Sequence, residues 1–120
     1  MEIQDADFVK YIDFLDGARL VPSVQQQKRI IFELLALRPG EKVLDMGCGT
    51  GDDVRDMAQL VGPGGRCVGV DREGALIEVA RKRSFEKKQP VEFQQGDIYT
   101  LRFSDSTFDV TRSERLFEHL

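Results

Sequence analysis

The sequence predicts an α/β fold, a mostly parallel sheet with helices on both faces. Two observations carry this. After Glu41, short apolar runs alternate with amphipathic helical patterns and glycine-rich turns; before it, the hydrophobic period is helical throughout. The 120 residues suffice for one hydrophobic core, because a chain of this size buries roughly two-thirds of the surface its unfolded form exposes.

Two helices come first. Phe8, Tyr11, Ile12 and Leu15 recur at i, i+3, i+4 and i+7, one face of a helix that Gly17 can end. Pro22-Ser23 opens the second, where the Ser23 hydroxyl can cap the first amides while Gln26 reaches back to the Ser23 amide. Val24, Gln27, Ile31, Leu34 and Leu35 keep a helical period up to Arg38-Pro39-Gly40, where proline and glycine stop the helix. Val43 to Met46 then reads as a strand, Gly47 to Gly51 as a loop, and Asp53 to Val61 as a helix with Val54, Met57, Ala58 and Val61 facing inward. Cys67 to Val70 makes the second strand. Ala75 to Arg83 makes the next helix, with Leu76, Ile77 and Ala80 on its apolar side. Val91 to Gln94 and Phe108 to Thr111 follow as the third and fourth strands, and a helix starts at Ser113. The expected organisation is a helical extension over 1–40 and an α/β domain over 41–120.

Composition excludes several partners. With 17 Lys+Arg against 21 Asp+Glu, a formal net charge of -4, the field of the molecule repels phosphate backbones and anionic lipid. No apolar run approaches the ~18 residues of a spanning helix. The acidic start, Met1-Glu2-Ile3-Gln4-Asp5, lacks the basic region and apolar stretch of a secretion signal. Cys48 and Cys67 are too few for a disulfide framework or a cysteine-based metal site and suit a reducing cytoplasm. No nucleic acid, no membrane and no metal are expected.

Chemistry concentrates in Asp45-Met46-Gly47-Cys48-Gly49-Thr50-Gly51, the link from the first strand of the α/β unit to its helix. Glycines at alternate positions let backbone turn sharply and approach a ligand that any Cβ would obstruct. The helix starting near Asp52 points its unpaired amides at the same spot. Asp71 closes the second strand 20 residues beyond Gly51, where an acidic side chain in a doubly wound fold accepts hydrogen bonds from ribose hydroxyls. An N-cap for the following helix is its plainer structural role.

These residues resemble a known family. Val43 to Gly51, V-L-D-M-G-C-G-T-G, is similar to motif I of the class I S-adenosylmethionine-dependent methyltransferases, and Val68-Gly69-Val70-Asp71 is similar to their acidic second motif. Dinucleotide dehydrogenases use G-x-G-x-x-G, whereas Gly47, Gly49 and Gly51 give G-x-G-x-G. Gln95-Gly96-Asp97-Ile98 resembles the adenine-contacting motif, and Phe108 to Glu114 the fourth-strand motif. The resemblance implies a Rossmann-like, seven-stranded sheet whose first four strands, in spatial order 3-2-1-4, are the ones present. It also implies S-adenosylmethionine as cofactor and a small-molecule methyl acceptor.

Roles carry over from the resemblance residue by residue. Asp45 would help fix the methionine amino group, directly or through water, with the backbones of Gly47, Cys48 and Gly49 passing close by and Gly51 completing the cofactor-binding loop, and Asp71 would hold the ribose diol. Leu76 and Arg72 would flank the adenosine, Asp97 would accept from the adenine amine, and Ile98 would pack against the ring. Arg112 and Ser113 would line the pocket mouth, largely through backbone atoms. Among relatives a Glu-His pair often follows the fourth strand, so Glu118 and His119 are candidate acceptor-side groups; an imidazole can act as a base near neutral pH, and a helix-surface histidine is the plainer reading. No other catalytic residue is assigned.

Plainer readings cover the remaining features. Arg81-Lys82-Arg83 is expected in the last turn of its helix, where cations offset the dipole. Cys48 supplies a small side chain to a tight loop. Phe8, Tyr11 and Phe14 could form a lid or simply pack, and Arg19 is a carboxylate contact supported only by its place in a loop. Strand four would present an unpaired edge open to pairing with another chain, including a second copy. A fragment of a longer enzyme, a truncated coding sequence and a short protein completed by a partner all fit the missing strands. Two function classes follow: a small-molecule methyltransferase present as its cofactor-binding half, or a catalytically inactive cofactor-binding module or partner subunit. A nicotinamide-dependent oxidoreductase using NAD is disfavoured by the glycine spacing.

Overall fold

In a computed structural model the structure describes residues 5–97 and 107–113. They fall into two compact units divided between Ala36 and Leu37. The first is a helical pair, α1 (Asp5–Leu20) and α2 (Pro22–Leu35). The second holds β1 (Lys42–Met46), α3 (Asp52–Val61), β2 (Arg66–Asp71), α4 (Gly74–Glu86), β3 (Glu92–Gln95) and β4 (Val110–Arg112).

The helical pair corrects several expectations, and proline explains the first two. Gly17 does not end α1, which continues to Leu20, since a glycine inside a helix costs only about 0.5–1 kcal/mol relative to alanine. Pro22 ends it instead: the residue before a proline is pushed out of the helical region, and Val21 is extended at φ -66° and ψ 126°. Pro22 is then the first residue of α2, where its fixed φ and missing N–H do no harm. Ser23 therefore lies inside the first turn, and α2 has no side-chain cap; the Gln25 amide donates to the Val21 carbonyl at 3.0 Å. At the other end α2 stops at Leu35, before Arg38-Pro39-Gly40, through left-handed Ala36, whose amide donates to the Phe32 and Glu33 carbonyls. Leu15 is buried and Phe8, Tyr11 and Ile12 are half-buried. Phe14 and Leu34 are 68% and 80% exposed, so Leu34 leaves the apolar stripe assigned to it.

In the second unit the four strands are parallel, in the order β3-β2-β1-β4. Val43, Val68 and Val70 are fully buried, as β-branched residues of a central parallel sheet should be. Leu44, Met46, Val68 and Val70 form one core cluster, with Phe108 packed against it. Val54, Met57 and Val61 of α3 and Leu76, Ile77 and Ala80 of α4 are buried. The helix over Ala75 to Arg83 is longer than expected, so Arg81 is not in its last turn: its guanidinium donates to the Phe93 carbonyl at 2.8 Å and latches α4 to β3.

The order matters for function. From β1 the chain steps to β2 and β3 on one side, then returns to place β4 on the other side of β1. That reversal opens a crevice at the carboxyl ends of β1 and β4, where doubly wound sheets bind ligands. The registers put Asp45 opposite Gly69 and Arg112, and Asp71 opposite Gln95, at that rim.

Candidate functional site

Backbone geometry builds the rim. Gly47 and Gly49 adopt φ of 76° and 58°, the left-handed region that glycine enters without a Cβ penalty. The turn lets the Gly47 and Cys48 amides both donate to the Val70 carbonyl, at 2.7 and 3.0 Å, folding the loop over the end of β2. The Gly49 amide then donates to Asp71 Oδ2 at 2.9 Å, and Asp71 Oδ1 accepts from the Glu73 amide at 2.9 Å. One carboxylate thus ties the loop after β1 to the loop after β2. Its part is not that of a helix cap, because Glu73 occupies the N-cap of α4.

Gly51 begins α3 in a left-handed conformation. A Cβ there would stand 2.6 Å from the Phe93 ring and 3.1 Å from Arg55 Nη1, so the β3 aromatic seats on bare backbone. Cys48 fills space of the same kind: a Cβ on Gly69 would meet its Sγ at 2.8 Å. Burial and this fit account for Cys48 as a packing thiol. Cys67, on β2, is pushed up to about 11 by burial and, second, by the negative charge of Asp45, so it stays a neutral thiol near pH 7.

Two buried arginines were not legible as such in the sequence. Arg55 is 3% exposed; its Nη1 donates to the Thr50 carbonyl at 3.0 Å and to Ser84 Oγ on α4 at 3.2 Å, while Nη2 pairs with Asp52. It pins the glycine loop to both helices. Arg112 was expected to contribute backbone atoms, yet its side chain turns inward. Nη1 lies 2.9 Å from Asp53 Oδ2 at the start of α3 and 3.9 Å from Asp45 Oδ1 on β1. Arg112 and Asp45 are buried and Asp53 is half-buried.

The third strand closes the rim. The Gly96 amide donates to the Asp71 carbonyl at 2.9 Å, and Gln95 Nε2 donates to the Arg72 carbonyl at 3.2 Å. A Cβ on Gly74 would stand 2.8 Å from Gln95 Oε1. Asp97, half-buried, follows directly. Asp45, Gly47, Cys48, Gly49, Asp71 and Arg112 are therefore brought together by direct contacts or register, with Ser113 and Asp97 next in chain. Arg72 is exposed, and Leu76, 4% exposed, belongs to the core. Ile98, Glu118 and His119 lie outside the described residues. Among the described residues no cluster of three His, Cys, Asp or Glu could hold a metal, and no helix is long and apolar enough to cross a membrane.

Residues 37–120 match the family model described as a methyltransferase domain. The chain belongs to that family, with the four-stranded parallel order of the class I S-adenosylmethionine-dependent methyltransferases. It is 36% identical to an uncharacterized 37.1 kDa protein in transposon TN4556 of Streptomyces fradiae, over 91% of this chain and 31% of that protein. It is 42% identical to the ubiquinone/menaquinone biosynthesis C-methyltransferase UbiE of Ectopseudomonas mendocina, over 69% of this chain and 33% of that protein. Among solved structures, coclaurine N-methyltransferase bound to N-methylheliamine and SAH superposes with a TM-score of 0.69 at 27% identity, covering 78% of this chain and 28% of that one. The chain spans about a third of the length of these curated relatives.

Proposed function

We propose that the chain is the S-adenosylmethionine-binding half of a methyltransferase that acts on a small molecule. The observation that carries this is the Asp71 carboxylate, held by the Gly49 and Glu73 amides where the glycine loop, the second strand and the third-strand turn converge. An ionised carboxylate offers about four lone-pair sites. Two amides use two of them, which leaves acceptors for a ribose diol, and the amides fix the side chain before the ligand arrives.

Around that anchor the other residues fit an adenosyl amino acid. Asp45 takes the ammonium of the amino-acid portion. The glycine backbone at 47 and 49 lets the ligand approach without meeting a Cβ. Asp97 accepts from the adenine amine, with Ile98 against the ring, and Arg72, from the turn before α4, and Leu76, from its first turn, flank the adenosine. Arg112 and Ser113 border the crevice beside β4. The cofactor, when bound, supplies an electrophilic methyl on a sulfonium; the protein's task is to align an acceptor in line with it and keep water out. Such approximation is worth up to about 7–11 kcal/mol.

One relative is named a C-methyltransferase and another an N-methyltransferase, which supports a shared cofactor half and leaves the acceptor's chemistry to the rest of the fold. Glu118 and His119 stay candidates for the acceptor side. The arrangement we favour is a helical extension over 1–40 and a cofactor domain over 41–120. β4, at the sheet edge among the described residues, is where further strands or a second copy would pair. Buried, unbridged thiols at Cys48 and Cys67 support a cytoplasmic setting.

Isothermal titration with S-adenosylhomocysteine and with NAD tests the reading. Binding of the first and not of the second is expected, and the opposite preference overturns it. Asp71→Ala should weaken S-adenosylhomocysteine by about 1–3 kcal/mol, roughly 5- to 150-fold, with the circular dichroism of the fold retained; unchanged affinity would remove Asp71 from the site.

A further inference from the structure

The carboxyl end of α4 holds two locally unfavourable residues, Phe85 and Lys88. Phe85 is 85% exposed, the largest fraction for a large apolar side chain among the described residues. Lys88 takes a left-handed φ of 54°, at the position past a helix end that glycine enters without penalty and a lysine does not. Two bonds hold it there: the Lys88 amide donates to the Phe85 carbonyl and the Gln89 amide to the Ser84 carbonyl, each at 3.1 Å. The turn that carries the lysines is therefore fixed to the turn that carries the ring.

Positive charge gathers at the same place. Residues 81–88 hold five of the chain's 17 Lys and Arg and a single acid, Glu86, in a molecule of net charge -4. Leu76, Ile77, Ala80 and Ser84 form the buried face of α4, which leaves Arg81, Lys82 and Phe85 on the outer side, all exposed, as are Lys87 and Lys88 beyond them. Arg81 pairs with Glu78 at 3.0 Å, so that acid adds no net charge to the face. A helix dipole favours cations in the last turn. It explains neither the bare ring nor a lysine in the left-handed position.

We infer that this end of α4 docks the protein on an anionic lipid surface, with Phe85 entering the headgroup layer and Lys82, Lys87 and Lys88 meeting lipid phosphates. Such a surface supplies both things the patch calls for, negative charge for a cluster of cations and an apolar boundary just below it for a ring. Single-stranded nucleic acid also offers phosphates, but its platforms stack successive bases on several rings along a groove. Phe85 is one ring at a helix end. Net charge alone argues against a membrane, yet salt screens that repulsion beyond about 8 Å. Closer in, the local cations dominate, and the more acidic remainder of the chain turns away and orients the molecule. Because the strands are parallel, α4 ends beside the amino end of β3, opposite the crevice at the carboxyl ends. Docking and cofactor binding are thus separate.

Flotation of the full chain with lipid vesicles is the test. Binding is expected to phosphatidylcholine vesicles that contain about one-third phosphatidylglycerol, with release in high salt, and not to phosphatidylcholine alone. Each cation near an anionic surface is worth about 1 kcal/mol, roughly 5-fold, so Lys82→Gln, Lys87→Gln and Lys88→Gln together should weaken partitioning about 100-fold. Phe85→Ser should cost about 10-fold, the lower end for burying a phenylalanine. Leu34→Ser, at a leucine 80% exposed on α2, should cost nothing. All these side chains are exposed, so far-UV circular dichroism should be unchanged. Phe85→Trp gives a chain without tryptophan a single reporter, whose emission should shift to the blue on anionic vesicles and stay in place on phosphatidylcholine. Equal partitioning to both vesicles, an unshifted reporter, no effect of the lysine changes, or equal losses in Leu34→Ser and Phe85→Ser would each overturn the inference. Tighter binding to an RNA oligonucleotide with the same lysine dependence would assign the patch to nucleic acid instead. S-adenosylhomocysteine affinity should be the same in every variant, and its absence in the unaltered chain would overturn the cofactor reading without touching the docking.

Discussion

At the amino ends of the strands, Arg66 of β2 is 38% exposed and meets Glu92 of β3 through two 2.9 Å bonds; at the carboxyl ends, Arg112 of β4 is buried between Asp53 and Asp45. The residue types are alike and the environments are not. The amino rim holds strands in register: Arg66 also lies 5.6 Å over the Phe108 ring, and Asp109 clamps the start of β4 by accepting from the Lys42 amide while its own amide donates to the Lys42 carbonyl, each at 2.8 Å. Solvent reaches that rim, so its charges are cheap to keep and worth little. Buried charges at the carboxyl rim are costly to hold, and folding alone would be as well served by apolar side chains. Expensive groups gathered where a parallel sheet binds ligands point to function.

Helix α3 runs from one rim to the other and permits a direct contrast. Gly51 at its start and Gly62 at its end both have positive φ, 83° and 68°. A Cβ on Gly62 meets nothing within 4 Å, while one on Gly51 collides with Phe93 at 2.6 Å. Gly62→Ala should therefore cost only backbone strain, about 1–3 kcal/mol. Gly51→Ala adds overpacking against a buried ring to its own left-handed penalty, for about 2–5 kcal/mol. Urea unfolding of the two variants checks the order. Equal losses would show that Phe93 can move aside and that the carboxyl rim is softer than its packing implies.

Next in size is Arg55→Met. The substitution leaves the Thr50 carbonyl and Ser84 hydroxyl without the guanidinium and Asp52 without its cation. Asp52 is 17% exposed on its side chain, so water softens the loss, and roughly 2–3 kcal/mol of stability is expected. Because Arg55 grips the glycine loop, S-adenosylhomocysteine affinity should fall as well. A variant that loses stability and binds as tightly as before would confine Arg55 to the amino-acid core.

What the sequence revealed follows the reach of each signal. The strand-helix alternation and the glycine loop are local patterns, and strands 1 to 4 came out within two residues of their observed bounds, in the order 3-2-1-4 that the family resemblance implied. Asp71 was legible because a fixed distance from the loop places it at the neighbouring strand's end. Arg55 was not, since it lies among Val54 and Met57 on a helix whose pattern sends charged residues outward. The inward turn of Arg112 depends on Asp53, 59 residues away, and no periodicity reports such a pairing. Gly17 misled in the opposite direction: a stop residue was read where Pro22, five positions on, decides the boundary.

The smallest effect belongs to Glu92→Gln at the amino rim. The Glu92 carboxyl is lowered below the usual glutamate range, chiefly by the hydrogen bonds from Arg66, with burial opposing and the Arg66 charge adding. A lowered folded-state value means that stabilisation is present above the unfolded-state value of about 4.3 and is lost as pH falls through the folded one. Glu92 is 49% exposed, so solvent screening holds the contribution to under about 1 kcal/mol despite the two-bond geometry. Urea unfolding should accordingly show a small gap between the unaltered chain and Glu92→Gln at pH 7. That gap should narrow in high salt and close as pH drops below the glutamate range. A gap independent of both pH and salt would mean that the side chain's packing, and not its charge, holds β3 to β2, and the contrast between the two rims would then rest on burial alone.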